Sequence, residues 1–306
     1  MAGDLIDLED ARVRAHDHIV RGTAADGQLR AFAVNGRETV QEASTRHHSS
    51  NVVTAALGRL MMAGQMIGAM SKVDGELVTL EVRGDGPVGG LTVTANNQGQ
   101  VKGFANHPNA WLPLRADRHL DVGGILGPGT LTVVHDIPHM EPYSSTVGLV
   151  SGEIGDDLTY YFAASEQVPT SLGVGVLLNP DHSVRQAGGF IIQAMPGCED
   201  YVLDELEENL TGMRSVTQLL EDGMTPSGML DYLLRGLDYQ ELDDMPAEFH
   251  CGCDRDRAAR CVTALGEHEM RDMIEKGEPA SVHCHFCGAD YLFSPEELEQ
   301  MLEDVR

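Results

Sequence analysis

Two close pairs of cysteines near the C-terminus constrain this chain more than any other feature. One residue separates Cys251 from Cys253, two separate Cys284 from Cys287, and thirty residues lie between the pairs. Zn²⁺ prefers four tetrahedral ligands, and cysteine thiolates bind it at about 2.3 Å. The segment 258–276 has a helical pattern suited to folding one pair onto the other. The sequence therefore predicts one Zn²⁺ per chain, held by the four paired cysteines.

Other cysteines and nearby histidines are weaker ligand candidates. Cys198 and Cys261 stand outside the pairs, and we expect them to be small buried apolar side chains. His250, His283 and His285 flank the paired cysteines. Since four thiolates already complete a zinc coordination shell, we do not expect these histidines to bind the metal.

The composition indicates a folded protein of the cytoplasm. The chain has 306 residues, of which 42% are hydrophobic, enough for about two domains with real cores. The first twenty residues lack the apolar stretch of a secretory signal, and no long apolar run predicts a membrane span. In the reducing cytoplasm, clustered cysteines more often bind metal or perform redox chemistry than form structural disulfides.

The spacing of the first pair leaves two interpretations open. A one-residue spacer is unusual for a purely structural zinc site, where spacers of two to four residues are normal. Zinc keeps its cysteines deprotonated while shielding them, and an oxidant that attacks one sulfur weakens the hold on the metal. The site is therefore either a plain zinc ribbon that stabilises the fold or a redox switch.

The charge distribution argues against nucleic acid as a partner. The formal net charge is −27, whereas phosphate binding requires clustered Lys and Arg. Residues 195–306 hold 27 acidic and 8 basic residues, a net of −19, and residues 241–306 alone have a net of −11. This acidity either serves solubility or keeps the C-terminal third marginally stable.

Residues 1–194 are predicted to form a strand-rich core domain of α+β class. A helix rich in Ala, Gly and Met is predicted over Thr54–Met70, and we expect its methionines to lie in the core. Alternating apolar and polar residues, or short apolar runs between turns, predict strands. The predicted strands are Leu77–Val82, Leu91–Ala95, Leu131–His135, Ser145–Val150 and Leu158–Phe162.

Two further segments complete the predicted organisation. Residues 195–240 are predicted to form a helical linker of two helices, one ending at Gly223 and one capped by Thr225 before a proline. Residues 241–306 are predicted to form a small zinc-binding domain that closes with a helix capped by Ser294. Asp254 and Asp256, beside the first cysteine pair, are expected to be solvated loop charges.

Motifs of common enzymes are incomplete in this chain. Gly84, Gly86 and Gly89 match a dinucleotide fingerprint in spacing, but Pro87 and a strand follow where that fingerprint requires a helix. The pair His268–Glu269 lacks the second histidine of a metalloprotease, and no Gly-Lys dipeptide exists for an ATP-binding loop. We therefore predict no catalytic or cofactor-binding residues, and no enzyme.

The cysteine pattern after a strand-rich domain resembles the signature of the Hsp33 chaperones. Short motifs beside the cysteines agree with that family: Asp256-Arg257, Ala264-Leu265-Gly266, Phe286 and Tyr291-x-Phe293. Motifs of the N-terminal part agree as well, at residues 17–22, 54–59, 84–87, 149–154, 165–169 and 187–189. The resemblance therefore covers nearly the whole chain.

The resemblance implies a redox-regulated, ATP-independent holdase that is inactive when reduced and zinc-bound. Hypochlorite, or peroxide with heat, would release zinc and form the disulfides Cys251–Cys253 and Cys284–Cys287. The linker would then unfold, and the protein would dimerise and bind unfolding client proteins. This chain departs from the family at Asp254, where serine is frequent, and at Cys261, an extra thiol that allows mispairing.

A zinc-ribbon adaptor without redox control is the alternative function. Such an adaptor would use the metal only to hold its fold and would bind a partner through its surface. Loss of zinc on oxidation, with recovery on reduction, would distinguish the switch from the adaptor.

Overall fold

Two β-sheets enclose the longest helix of the chain. The computed structural model describes residues 16–304. The described residues form two compact units, the first ending at His250 and the second beginning at Cys251. The strands of the first unit are His18–Ala24 (β1), Leu29–Asn35 (β2), Leu77–Gly84 (β3), Gly90–Asn96 (β4), Gln100–Ala105 (β5), Gly129–Asp136 (β6), Tyr143–Gly148 (β7), Thr170–Leu178 (β8), Val184–Ala194 (β9), Gln240–Pro246 (β10) and Glu248–Phe249 (β11). Its helices are Arg37–His47 (α1), Asn51–Ala69 (α2), Val122–Leu126 (α3), Gly155–Tyr161 (α4), Asp200–Leu210 (α5), Val216–Glu221 (α6) and Pro226–Leu233 (α7).

The strand order brings distant parts of the chain together. One sheet has the order β10-β1-β2-β9-β8, with antiparallel neighbours throughout. The other has the order β11-β5-β4-β3-β6-β7, in which β11 runs parallel to β5. Four of the five predicted strands lie in this second sheet, as β3, β4, β6 and β7. The α+β class is confirmed.

Helix α2 forms the centre of the core between the sheets. It packs against β3, β4 and β5 on one side and against β2, β8 and β9 on the other. Met61, Met62 and Met66 are completely buried, which confirms that this methionine-rich helix is core. At Gly64 a Cβ would lie 2.9 Å from a Val93 methyl carbon, so glycine allows the sheet to approach closely.

Among residues 16–304, α2 is also the one helix with the length and composition of a membrane span. Its most apolar 18-residue stretch has a mean hydropathy of 1.3, and 94% of that stretch is buried inside the protein. Its apolar surface is therefore covered by the two sheets, as in the core helix of a folded domain. The N-terminal residues on which the absence of a signal peptide was predicted lie outside the described range, except for residues 16–20.

The predicted strand over Leu158–Phe162 is wrong. These residues lie in α4 and in the π-helical turn Phe162–Glu166 that follows it. The Asp157 carboxylate accepts hydrogen bonds from four backbone N–H groups of residues 150–154 and so fixes the start of the helix. Buried side chains recur at i, i+3 and i+4, a helical spacing concealed by the aromatic residues, which favour strands in general.

The helix predicted to run to Gly223 is in fact two helices. Helix α5 ends before Gly212, whose φ of 72° lies in the left-handed region that glycine adopts readily. Ser215 then caps α6 in a reciprocal hydrogen-bonded box with Gln218. The next predicted helix is confirmed as α7, where the Thr225 hydroxyl accepts the Gly228 N–H at 3.1 Å.

Helices α5, α6 and α7 cover the outer face of the five-stranded sheet. The sheet contributes the buried side chains Val20, Leu29, Ala31, Ala33, Phe190 and Ile192. The helices contribute Val202, Leu206, Val216, Leu219, Leu220, Met229, Leu230 and Leu233. Fully burying one Val, Leu, Ile, Phe or Met side chain stabilises the folded state by about 1.5–3 kcal/mol. We call these three helices and their connections the cover segment, residues 199–239.

The second unit is small and has little hydrophobic core. It consists of Arg255–Thr263 (α8), Glu267–Lys276 (α9), a hairpin of Ala280–His283 (β12) and Asp290–Phe293 (β13), and Pro295–Asp304 (α10). Its buried apolar residues are Ala258, Val262, Met270, Ala280, Phe293 and Leu298. The Ser294 hydroxyl accepts the Glu297 N–H at 3.3 Å, which confirms the predicted cap of α10. So small a core needs help from a metal or another cross-link.

Candidate metal and redox site

The second cysteine pair lies on a tight turn between β12 and β13. The Cys284 carbonyl accepts hydrogen bonds from the N–H groups of Cys287, at 3.3 Å, and Gly288, at 2.8 Å. Gly288 has a φ of 71°, a conformation that permits this turn and that a side chain would disfavour. The hairpin thereby holds both sulfurs of this pair on the same turn.

The first cysteine pair lies on the loop that enters α8. The Asp254 carboxylate accepts the Arg257 N–H at 2.6 Å and caps the helix. Asp254 and Asp256 are both exposed, as expected of solvated charges, but Asp256 lies in the first turn of α8 and not in a loop. Serine is an equivalent N-cap, so aspartate at position 254 preserves the cap. The Arg257 guanidinium also donates to the Gly252 carbonyl at 2.8 Å and so braces the loop between the two cysteines.

These two elements bring the four predicted ligand sulfurs together. The four Sγ atoms of Cys251, Cys253, Cys284 and Cys287 all lie within 4.8 Å of one another. The Cys251 and Cys284 sulfurs are 3.7 Å apart, and the Cys253 and Cys287 sulfurs are 3.1 Å apart. Four thiolates at about 2.3 Å from a tetrahedral zinc would be about 3.8 Å apart. The sulfur cluster thus fits the size and donor type of a zinc site.

Cys251, Cys253 and Cys287 differ in acidity in the metal-free protein. Burial raises the pKa of the Cys251 thiol, and burial likewise raises that of Cys287. Burial opposes ionisation of Cys253 as well, but hydrogen bonds from Tyr291 and from neighbouring thiols lower its pKa to about 7. Cys253 therefore has the greatest thiolate character of these three, and thiolates are the form that binds metal and reacts with oxidants.

The remaining candidate residues stay outside the sulfur cluster. Within residues 16–304, the side chains close enough to share a metal comprise the four cysteines and no histidine. His283 instead hydrogen-bonds Asp290 at 2.7 Å, and its ring contacts that of His285 edge to face. His250 belongs to the first unit, with its ring nitrogen 4.0 Å from a Glu248 oxygen.

The two unpaired cysteines differ from each other. Cys261 is exposed on α8, so the expectation that it is buried is wrong. Its helix turns Ala258 and Val262 inward instead, and Cys261 lies beside that buried stripe, in solvent. Cys198 is half-buried against the core beneath the cover segment, and burial raises its pKa.

Sequence reasoning missed two side chains that support the site. The Tyr291 hydroxyl donates a hydrogen bond to Cys253 Sγ at 3.4 Å. The Arg255 guanidinium stacks 4.5 Å from the centre of the Phe293 ring and donates to the Leu292 carbonyl at 2.9 Å, which ties α8 to β13. The helical pattern after Asp254 would have identified its cap, but no local pattern identifies contacts across thirty or more residues.

The glycines that match a dinucleotide fingerprint form a hairpin loop. β4 follows them directly, so the helix that would bind a pyrophosphate is not there. The Gly86 N–H donates to the Leu126 carbonyl at 2.8 Å, and a Cβ at Gly86 would lie 2.4 Å from the Ile125 oxygen. These glycines serve close backbone packing.

Comparison with known proteins gives a consistent result. A family model described as Hsp33 protein matches residues 17–294. The chain is 47% identical to the 33 kDa chaperonin of Agathobacter rectalis over 93% of this chain and 99% of that protein. It is 44% identical to the 33 kDa chaperonin of Bacillus pumilus over 94% and 99% of the two chains. The crystal structure of the 33 kDa chaperonin from Thermotoga maritima has 33% identity and a TM-score of 0.88, covering 95% of this chain and 99% of that one.

Proposed function

The chain belongs to the Hsp33 family of 33 kDa chaperonins, and we propose that it is an ATP-independent holdase that oxidation switches on. The family is one of chaperones and not of enzymes, so its members act on client proteins. The proposal goes further in assigning the switch to Cys251, Cys253, Cys284 and Cys287. The observation that carries it is the convergence of these four sulfurs in a unit with a very small core.

In the reduced state we propose that the four sulfurs hold one Zn²⁺. When bound, the metal keeps the sulfurs as thiolates and cross-links the cysteine loop before α8 to the β12–β13 turn. The protein contributes the Asp254 cap, the Arg257 brace and the Gly288 turn, which place the sulfurs before the metal arrives. Structural zinc sites of this kind supply folding free energy directly.

On oxidation we propose that two disulfides form, Cys251–Cys253 and Cys284–Cys287. Each joins residues of one loop, so neither replaces the link between the loop and the hairpin that the metal provides. The core cluster in the described part of this unit holds six buried apolar side chains, so loss of that link would unfold it. The alternative adaptor would keep its zinc under the same conditions.

Unfolding of the linker would connect oxidation to client binding. We propose the division into a core domain at 1–194, a linker at 195–240 and a redox domain at 241–306. Release of the cover segment would expose the apolar face of the five-stranded sheet, including Leu29, Phe190 and Ile192. Unfolding proteins expose apolar segments that such a face would bind.

We propose that the oxidised chain forms a homodimer, acts in the cytoplasm and binds neither nucleic acid nor membrane. The net charge of −27 supports the lack of nucleic-acid binding, because phosphates would be repelled.

An aggregation assay tests the proposal. A thermally unfolding client protein is mixed with reduced zinc-bound protein or with protein oxidised by hypochlorite, and light scattering is followed while zinc release is measured with a dye. We expect suppression of scattering only by the oxidised form, reversed by a thiol reductant. Equal suppression by both forms, with zinc retained throughout, would instead support the adaptor.

A further inference from the structure

The hydroxyl of Tyr291 connects the hairpin of the second unit to a sulfur of the opposite cysteine pair. It lies 3.4 Å from Cys253 Sγ, in donor geometry. A phenol hydroxyl carries its proton at neutral pH, so this group acts as the donor and the sulfur as the acceptor. The contact spans 38 residues of sequence, so it forms only when the loop and the hairpin come together.

Both partners of this hydrogen bond are held by backbone structure. Tyr291 pairs with Val282 in the β12–β13 ladder, and its ring packs against the small core of this unit. Cys253 directly precedes Asp254, the cap of α8. The hydroxyl is therefore positioned at the sulfur by elements that also position the cysteines.

We propose that Tyr291 is a positioning residue of the redox switch that slows oxidation of Cys253 and strengthens retention of zinc. This inference rests on the proposed function and adds a regulator to it. A hydrogen bond donated to a metal-bound thiolate engages one of its lone pairs, which lowers its reactivity toward an electrophile. Groups that orient and hydrogen-bond metal ligands typically contribute 10- to 100-fold to metal affinity.

The affected step is the reaction of Cys253 with a peroxide. Its thiolate attacks one peroxide oxygen, a sulfur–oxygen bond forms, the oxygen–oxygen bond breaks, and hydroxide leaves. The Cys251 thiolate then attacks the sulfur of the resulting sulfenic acid, forming the disulfide and releasing a second hydroxide. Two sulfurs together lose two electrons, which reduce one hydrogen peroxide to two hydroxides.

The variant Tyr291→Phe tests this role in the full-length chain, because it removes the hydroxyl and keeps the ring. We expect one zinc per chain in excess metal and an unchanged far-UV circular dichroism spectrum. Half of the bound zinc should pass to a competing zinc-binding dye at a dye concentration about tenfold lower than the parent chain requires. Under hydrogen peroxide, differential alkylation and peptide mass spectrometry should show Cys253 oxidised about threefold faster, since thiolate reactivity rises with electron density on sulfur.

Two matched variants separate this role from simpler ones. Tyr160→Phe removes a hydroxyl from a half-exposed tyrosine of the first unit, and it should match the parent chain in both measurements. Tyr291→Leu removes ring and hydroxyl together. If Tyr291→Phe behaves as the parent while Tyr291→Leu loses zinc, the ring matters only for packing and the inference is overturned. Identical behaviour of all variants also overturns it. A parent chain that binds no zinc would overturn the proposed function itself.

Discussion

The sulfur of Cys253 lies 3.1 Å from the sulfur of Cys287, a residue of the other cysteine pair. Cys251 likewise lies close to Cys284, with 3.7 Å between their sulfurs. The reduced site therefore places cysteines of different pairs side by side, as a tetrahedral metal site built from two loops requires. Which cysteines join on oxidation then depends on whether the two loops stay together.

We predict that oxidation forms disulfides within the pairs, Cys251–Cys253 and Cys284–Cys287. Once the metal leaves, the two loops separate. Partners within a pair still have only one or two residues between them, so their chain loses little entropy when they join. Peptide mapping after oxidation and thiol blocking measures the pairing. The variant Cys261→Ser controls for the exposed extra thiol and should give the same map. A dominant Cys253–Cys287 cross-link would show that the disulfides form while the site is still assembled.

We predict that Cys284→Ser abolishes stable zinc binding. Serine cannot replace a thiolate ligand, and the three remaining sulfurs leave the β12–β13 turn with Cys287 alone. Zinc content after dialysis against a chelator should fall from one per chain to nearly none. Cys261→Ser is the matched control, because Cys261 is exposed outside the sulfur cluster, and it should keep its zinc. Full zinc content in Cys284→Ser would refute the assigned ligand set.

We predict that zinc affinity falls as pH falls. Burial raises the pKa of the Cys251 and Cys287 thiols above their ordinary value, so both are protonated in the metal-free protein at neutral pH. Zinc must displace those protons, and each displaced proton costs about tenfold in affinity per pH unit. Cys253, whose pKa is lowered to about 7, adds to this dependence at neutral pH and below. Dye competition at several pH values measures the slope, and a flat profile would contradict thiol ligation.

We predict that a chain ending at Tyr239 suppresses aggregation without oxidant. The cut removes the second unit together with β10 and β11. β10 pairs with β1, and its Asp243 forms an ion pair with Arg21. A chain ending at His250 keeps both strands and serves as the comparison; it should be less active if these strands help to hold the cover segment. Light scattering of a heated client reports both. A folded but inactive Tyr239 chain would mean that the second unit itself binds clients.

We predict that Glu208→Lys makes activation harder. Asp204 and Glu208 are exposed at i and i+4 on α5, a helix with no side-chain cap and no basic residue in its last turn. The substitution replaces a repulsion with an attraction, each about 0.2–0.5 kcal/mol. More oxidant or a higher temperature should be needed before helical signal falls and client binding begins. Asp136→Lys makes the same charge change at an exposed site outside the cover segment, and its threshold should equal that of the parent. Equal thresholds for all three would exclude tuning by linker charge.

Local patterns were sufficient for the four-cysteine cluster, for helix α2 and for four strands of the second sheet. They did not predict the strands β1, β2, β5, β8 and β9. Cysteine spacing identified all four sulfurs that converge, and the alternation of β3 and β6 was visible because each buries one face. Patterns failed where two local preferences compete. Aromatic residues favour a strand at Leu158–Phe162, but the hydrogen bonds of Asp157 to the preceding turn favour a helix, and the helix forms.

Long-range pairing had no local signal. β10 is acidic and mostly exposed, yet it pairs with β1 more than two hundred residues away. β11 pairs in parallel with β5, which lies 148 residues earlier in the chain. The predicted zinc-binding domain, residues 241–306, included β11 and all of β10 except Gln240. Register between distant strands depends on the assembled sheet, and the same holds for the hydrogen bond from Tyr291 to Cys253.

Under the proposed function, the cover segment competes with clients for the apolar face of the five-stranded sheet. Because it is tethered to β9, its local concentration at the sheet is set by the length of the connection and does not vary with the amount of protein in the cell. Under the proposed switch, a bound client must outcompete this tethered partner whenever the segment can refold. Reduction of the disulfides and return of zinc would then displace the client without nucleotide hydrolysis. The same competition would set an upper limit on client affinity.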